Sequence, residues 1–381
     1  MKKGILIAFG ELFLKSPGVQ KIFKRKLINN LHFFLKKENF DFEIFPQRER
    51  IFVEVKNLEK AKKKIKNIFG ISWFAKSLFF ERANLKEVSD FIAKNYKNWI
   101  KENETFAIRL KKGSEIKESG KKIIEEIAKN IKRKVDLERP KREIFVEARK
   151  GGWFLYFKKE KGAGGLPVSS GGKVLALISG GIDSPVASYL MAKRGTENIW
   201  LHFHSFPLVS QKSIEKVKKL AQIFLNFQPK LKIYLFPFSK VQTEIKLKSP
   251  PKYRILLYRR AMVKIAQEIA KKENCSALVT GESLGQVSSQ TLPNLEIIEK
   301  AVSIPILRPL IGFDKEEIIK MAKKIGTYEI SILPQEDCCT LFVPKHASAK
   351  GNLKEIEKIE KNLKIKEAID QSKKEIEILN Y

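Results

Sequence analysis

The sequence predicts an α/β protein whose second half is a doubly wound parallel sheet, and three observations carry that prediction. Apolar runs of strand length alternate with amphipathic helical stretches from residue 173 to about 332. The first of those runs, Val174 to Ile178, ends in Ser179-Gly180-Gly181 and leads into a helix start, as nucleotide-binding βα turns do. The first 80 residues read β-α-β-β-α-β, the order of a ferredoxin-like domain. The expected divisions are 1–80, 81–168 and 169–381. The Gly/Ser-rich stretch 162–172, with Pro167, forms the second border.

In the first division, strands are expected at 4–9, 51–55 and 71–80, with a short alternating stretch at Phe40, Phe42 and Ile44. Helices are expected at 19–35, on the stripe Ile22, Phe23, Leu27, Leu31 and Phe34, and at 58–68. The second division reads as helix 86–99, strand 105–110, helix 120–131 and a strand pair at 144–148 and 153–157 joined through Gly151-Gly152. Basic groups sit at its element ends: Lys111-Lys112, Lys121-Lys122, Lys132-Arg133-Lys134, Lys141-Arg142 and Arg149-Lys150. The chain carries a net charge of +32 and a pI of about 9.8. An excess of that size is the footprint of a polyanion, and nucleic acid is favoured over a merely solvated basic face.

In the third division, further strands are expected at 200–204, 231–236 and 277–280, and helices at 213–227, 253–272 and 314–325. Residues 352–379 form a Lys/Glu-rich helical pattern. The central turn reads strand 174–178, Ser184 as N-cap, Pro185 at the first helical position, and a stop near Gly195. Two glycines and a helix N-terminus make an anion site, because backbone N–H groups approach a phosphate without a Cβ in the way. No lysine follows the glycines, so this is not a Walker A loop. Ser184 stands where a dinucleotide fingerprint has its third glycine.

No stretch is long and apolar enough for a signal peptide or a membrane span, and three cysteines cannot build a disulfide framework. A cytoplasmic protein is expected. Cys338 and Cys339 are adjacent, with Cα atoms ~3.8 Å apart against roughly 4.4–6.8 Å in ordinary disulfides. A reactive thiol is the expected reading, and two inert core residues the alternative.

Ser179-Gly180-Gly181-Ile182-Asp183-Ser184 resembles the PP-loop of ATP pyrophosphatases. Gly10-Glu11-Leu12-Phe13-Leu14-Lys15, Gly164-Gly165-Leu166-Pro167-Val168, the run from Thr280-Gly281-Glu282-Ser283 to Thr291, and Glu336-Asp337-Cys338-Cys339 occur in the order found in the tRNA 4-thiouridine synthetases of the ThiI type. Residues 81–165 resemble a THUMP domain. The resemblance implies ATP-dependent sulfur transfer to uridine 8 of tRNA, by adenylation of the uracil C4 oxygen, pyrophosphate release and attack by a cysteine persulfide. It implies ATP contacts at Leu177, Ile178, Ser179, Gly180, Gly181, Asp183, Ser184, His202, Phe203, Arg259, Gly281 and Gln290. Asp183 is expected to act in adenylation and hold Mg²⁺ against the phosphates, Lys315 to neutralise phosphate charge, and Cys338 to carry the persulfide, with Cys339 or Cys275 resolving it.

Some residues have plainer readings. Arg259 beside Arg260 reads equally as a surface pair, and Gly281 as a turn that lets ATP approach. His202 and His204 share a strand face, where an edge-on adenine contact is favoured over a metal. Some members end in a rhodanese-like domain, and this sequence reaches Tyr381 without one. Sulfur is therefore expected from a cysteine desulfurase in trans, and a role in making the thiamine thiazole ring is left doubtful. Lys272 stands where cluster-binding members have a cysteine, so a persulfide is favoured over an iron–sulfur cluster. A homodimer is expected from the resemblance alone. The competing readings are a PP-loop amidating or ligating enzyme acting on a small molecule, and a non-catalytic RNA-binding protein.

Overall fold

The computed structural model describes residues 1–10, 16–334 and 348–381. They form two compact units, Met1–Leu166 and Pro167–Tyr381.

In chain order the first unit contains β1 (Lys2–Phe9), α1 (Pro17–Lys37), β2 (Phe42–Pro46), β3 (Ile51–Val55), α2 (Leu58–Ile65), β4 (Ile71–Glu81), α3 (Leu85–Asn95), β5 (Phe106–Lys112), α4 (Gly120–Ala128), β6 (Arg142–Arg149), β7 (Gly152–Tyr156) and β8 (Glu160–Lys161). The strand order is β2-β3-β1-β4-β7-β6-β5, with β8 on β4. Its first four strands, with α1 and α2, give the expected ferredoxin-like arrangement. The expected border at 80/81 falls at the end of β4, a strand that both halves share. β4 pairs with β1 from Phe79 to Ile71 and with β7 from Ser77 to Glu81.

Period-two alternation sorts the two faces of this sheet. β4 sends Phe74 to the apolar cluster under α1 and α2, and Phe80 to the one under α3 and α4. Ala75 and Phe79 point the other way, into an aromatic cluster with Phe52, Phe154 and Tyr156. Phe79 and Phe154 stack there with ring centroids 4.5 Å apart. Three strands separate β3 from β6, roughly 19 Å in a flat sheet. Arg50, just before β3, nevertheless reaches Glu147 on β6 at 3.0 Å, so the sheet coils strongly around the aromatic cluster.

The second unit contains β9 (Lys173–Leu177), α5 (Asp183–Lys193), β10 (Glu197–His204), α6 (Lys212–Phe224), β11 (Lys232–Pro237), α7 (Ser239–Lys248), α8 (Arg254–Lys272), β12 (Ala277–Val279), α9 (Leu292–Glu299), β13 (Ile306–Leu307), α10 (Lys315–Ile325), α11 (Tyr328–Ser331), α12 (Leu353–Lys361), α13 (Ile365–Lys373) and β14 (Glu377–Asn380). The sheet order is β13-β12-β9-β10-β11-β14. Its first five strands run parallel, as expected. β14 is antiparallel on β11.

The stretch 352–379 is therefore not one helical pattern. Two short helices, α12 and α13, pack onto the α8 layer, and the chain then turns into an edge strand. Arg260 ties this segment down: it is buried and donates to Glu360 of α12 at 2.9 Å from two nitrogens. The sheet runs outward from β9 to β10 and β11, then crosses back to place β12 beside β9. The crevice between the carboxyl ends of β9 and β12 is thus the topological switch point, where α/β sheets bind their ligands.

Candidate nucleotide site and candidate nucleic-acid interface

The loop after β9 is held by its own hydroxyls. The Ser179 N–H donates to Ser184 Oγ at 3.1 Å, and the Gly181 N–H donates to Ser179 Oγ at 3.3 Å. Gly180 sits at φ +84°, a left-handed conformation that glycine adopts without a Cβ penalty. α5 begins at Asp183 with Ile182 as N-cap, so the expectation that Ser184 caps the helix is corrected. Ser184 lies inside the first turn and its hydroxyl reaches back to brace the loop.

Gly281 follows β12 and meets this turn from the side. A Cβ there would stand 2.7 Å from Ser184 N and 2.9 Å from Asp183 C. Its smallness serves backbone packing against the loop, rather than only an approach of ATP.

Asp183 and Lys315, 132 positions apart, come together: Lys315 Nζ lies 2.6 Å from Asp183 Oδ1. Gln286 Nε2 donates to Asp183 Oδ2 at 3.0 Å. Lys315 opens α10, whose start is fixed by a capping box between Asp314 and Glu317. The PP-loop carboxylate thus faces a cation presented by α10, which follows β13.

A cavity of about 240 Å³ opens at the switch point. Leu177, Phe203, Met262, Val263, Ile298 and Ile306 give it an apolar wall, and Ser179, Asp183, Ser184, Arg259, Gly281 and Gln290 a polar one. Such a division suits a flat base at one end and phosphates at the other. Ile178 also lines it, while Gly180 and Gly181 belong to the loop at its mouth.

His202 is buried away from the cavity wall. Its Nδ1 lies 2.8 Å from Ile178 O and its Nε2 lies 3.3 Å from Ser213 Oγ on α6. The expected edge-on adenine contact is therefore corrected: this ring braces the strand end and α6, while its neighbour Phe203 takes the cavity side. His204 is pushed down to about 4 by burial and then by His202. Among the described residues no group of three or more His, Cys, Asp or Glu side chains is placed to hold a metal ion.

Arg259 and Arg260 are not a surface pair. Arg259 turns to the cavity and donates from Nη2 to Glu282 Oε1 at 2.7 Å, while Arg260 turns to α12. Glu282 also accepts from Arg308 Nε at 2.7 Å and from Thr280 Oγ1 at 2.9 Å. Burial alone would raise its carboxyl, but Arg259 and Arg308 outweigh burial and hold it below the usual range. Sequence reasoning assigned Glu282 and Arg308 no role. The available signal was a carboxylate two residues past a strand, in a stretch otherwise built for phosphate.

Cys338 and Cys339 lie outside the described residues. Cys275 is buried at the entrance to β12, where the Ser276 N–H donates to Lys173 O at the start of β9. That is the sheet end opposite the PP-loop. Burial, then Glu273, push its thiol up to about 11. Both facts remove Cys275 as a resolving thiol.

The first unit has a different surface. On its helix-free face a cavity of about 280 Å³ is lined by Arg50, Trp73, Arg109, Lys111, Phe145, Tyr156 and Lys159, with two glutamates. Lys159 Nζ lies 4.5 Å from the Phe145 ring centroid, and Arg50 lies 5.0 Å from that of Trp73. Beneath them Glu147 accepts from Arg50, Arg149 and Tyr156 at 3.0, 2.9 and 3.0 Å. Aromatic planes interleaved with cations suit unpaired bases joined by phosphates. The basic doublets are only partly available for such contacts. Arg149 is buried on Glu147 and Glu49, and Arg142 is paired with Glu104 at 2.9 Å.

The chain is similar to known proteins over its whole length. The family model described as thiamine biosynthesis protein (ThiI) matches residues 169–365, the ThiI ferredoxin-like domain matches 4–75, and the THUMP domain matches 82–158. A probable tRNA sulfurtransferase of Thermoanaerobacter sp. (strain X514) is 38% identical over 383 residues, 99% of each chain. The one of Thermus thermophilus is 48% identical over 247 residues, 65% of this chain and 61% of that one. A crystal structure of a 4-thiouridine synthetase–RNA complex with bound ATP superposes with a TM-score of 0.87 at 32% identity, covering all of both chains. The structure of PH1313 from Pyrococcus horikoshii shares the fold, with a TM-score of 0.64 at 23% identity, over 85% of this chain and 99% of that one. With its ferredoxin-like, THUMP and PP-loop parts in family order, the chain belongs to the ThiI family of tRNA sulfurtransferases.

Proposed function

We propose that the chain transfers sulfur to tRNA at the expense of ATP, converting uridine 8 to 4-thiouridine. The observation that carries this reading is the meeting of the PP-loop, Asp183 and Lys315 at one switch-point cavity in a member of this family. The C4 oxygen of uracil is a poor leaving group. Attack of that oxygen on the α-phosphorus of ATP expels pyrophosphate and leaves AMP bonded through it to C4. The loop N–H groups and the α5 N-terminus receive the pyrophosphate, and the Lys315 ammonium offsets the charge that develops on it. The terminal sulfur of a Cys338 persulfide then bonds to C4, and AMP departs with the oxygen. A second thiol breaks the remaining S–S bond, so 4-thiouridine is released and Cys338 is left in a disulfide.

Asp183 places a hard carboxylate oxygen at the cavity wall. One such ligand with phosphate oxygens and water fits Mg²⁺, which when bound supplies neutralisation of phosphate charge.

The chain on either side of Cys338 supports its assigned role. Ser331 Oγ lies 3.3 Å from the carbonyl of Gly181 in the PP-loop, and Lys216 Nζ of α6 donates to Leu333 O at 2.7 Å. Thr291 Oγ1 donates to Ala349 O at 2.7 Å. Cys338 is seven positions beyond Ser331, within a reach of roughly 25 Å of chain. The first unit holds the RNA through its cationic aromatic cavity. The sulfur donor is a cysteine desulfurase, the working assembly a homodimer, and the compartment the cytoplasm. Among the described residues no helix is long and apolar enough to cross a membrane.

The test is mass spectrometry of tRNA nucleosides after incubation with the protein, ATP and a desulfurase with cysteine. 4-Thiouridine that requires both ATP and the protein is the expected product. Pyrophosphate release that proceeds equally without tRNA would point instead to a small-molecule ligase.

A further inference from the structure

The geometry points to Glu282 as a positioning residue of the nucleotide site: it fixes the Arg259 guanidinium against the cavity so that its remaining N–H groups face phosphate. This assignment rests on the nucleotide reading above and adds a residue to it.

Arg259 projects from the second turn of α8 with four side-chain torsions, and ordering such a side chain at the moment of binding costs affinity. Its bond to Ser289 Oγ is long, at 3.4 Å, so Ser289 cannot orient it. The 2.7 Å bond to Glu282 can. Glu282 is itself immobile, because its other oxygen takes the Arg308 and Thr280 bonds and its side chain is 2% exposed. A buried carboxylate gripped from two sides is a fixed anchor, whereas the same carboxylate in water would exchange partners freely. A guanidinium has five N–H groups, and the bonds to Glu282 and Ser289 occupy one on each terminal nitrogen.

Glu282→Asp tests this with the buried charges still balanced: it withdraws the carboxylate by one methylene and loosens its grip on Arg259. Calorimetric titration with ATP and, separately, with adenosine reads the effect. ATP affinity is expected to fall about tenfold, the scale of one charge-assisted hydrogen bond, while adenosine affinity changes less than about twofold. In an Arg259→Ala background Glu282→Asp is expected to add no further loss of ATP affinity. Equal losses for both ligands would mean a general structural role and overturn the assignment, as would unchanged ATP affinity or an undiminished effect without Arg259. A wild-type chain that binds no ATP would instead overturn the nucleotide reading itself.

Discussion

Replacing Gly281 by alanine adds one methyl group at the place where the β12 turn meets the PP-loop. The new Cβ would sit 2.7 Å from Ser184 N and 2.9 Å from Asp183 C and Ser184 Cα. All three are backbone atoms, so no side chain can swing away to relieve the contact. Restoring an ordinary 3.4 Å separation requires the turn and the loop to part by roughly 0.7 Å. Overpacking of this kind costs about 1–3 kcal/mol. In a unit spanning Pro167–Tyr381 that corresponds to a fall of roughly 2–12 °C in Tm. The functional cost is larger, because the displaced atoms carry the Asp183 carboxylate and the Ser184 hydroxyl that braces Ser179. A misplacement near 1 Å costs on the order of 10²-fold in rate. Thermal unfolding and ATP-dependent pyrophosphate release on tRNA should therefore separate, with a modest loss of Tm and a roughly hundredfold loss of rate. Gly281→Ala with a Tm within about 1 °C of wild type and full activity would refute the argument. Gly180→Ala offers a contrast: its cost should come from the φ of +84°, about 1–2 kcal/mol, not from a clash.

Asp183→Asn should leave Tm within a few degrees, since the Lys315 partner is 44% exposed and such pairs contribute about 1 kcal/mol or less. Pyrophosphate release should nevertheless drop on the order of a hundredfold. Cys338→Ala should keep ATP and tRNA binding and abolish thiolation. Cys275→Ala should thiolate normally, and Cys275 in the native protein should resist thiol reagents at pH 8, in keeping with its pKa of about 11. Trp73→Ala should weaken RNA binding by about 1–3 kcal/mol with an unchanged salt dependence, whereas Lys159→Ala should lower the slope against log salt by about one; filter binding across a salt series distinguishes them. Glu147 is held below its usual value by Arg50 and Arg149 against the pull of burial. Its contribution to stability is thus complete above the unfolded-state value of 4.5 and lost as pH falls through the lower folded-state value. A scan of Tm between pH 6 and 3 should show a slope that Glu147→Gln flattens.

Much of this protein can be read from local pattern. The run Val174 to Leu177 must be a buried strand, Gly180 must turn, and a helix must follow, because each step is dictated by residues within a few positions. Period and spacing likewise placed β3 at its exact bounds and set α8 and α10 within one residue. The Cys338 assignment was legible only through the family resemblance, since nothing in composition singles out one thiol.

What local pattern did not reach depends on partners distant along the chain. Ser184 looks like a cap in isolation, yet its hydroxyl bonds Ser179 once the loop closes. His202 looks like a ligand of the base until the sheet sets its ring against Ile178 and Ser213. Residues 377–380 continue a Lys/Glu helical pattern and become a strand only because β11 offers an unpaired edge. The Asp183–Lys315 pair, the Glu282 anchor and the exclusion of Cys275 are likewise products of strand order. The reason is physical: backbone preference acts over a turn or two, whereas the pairing of buried charges and the end of a sheet on which a side chain lands are set by how parallel strands stack.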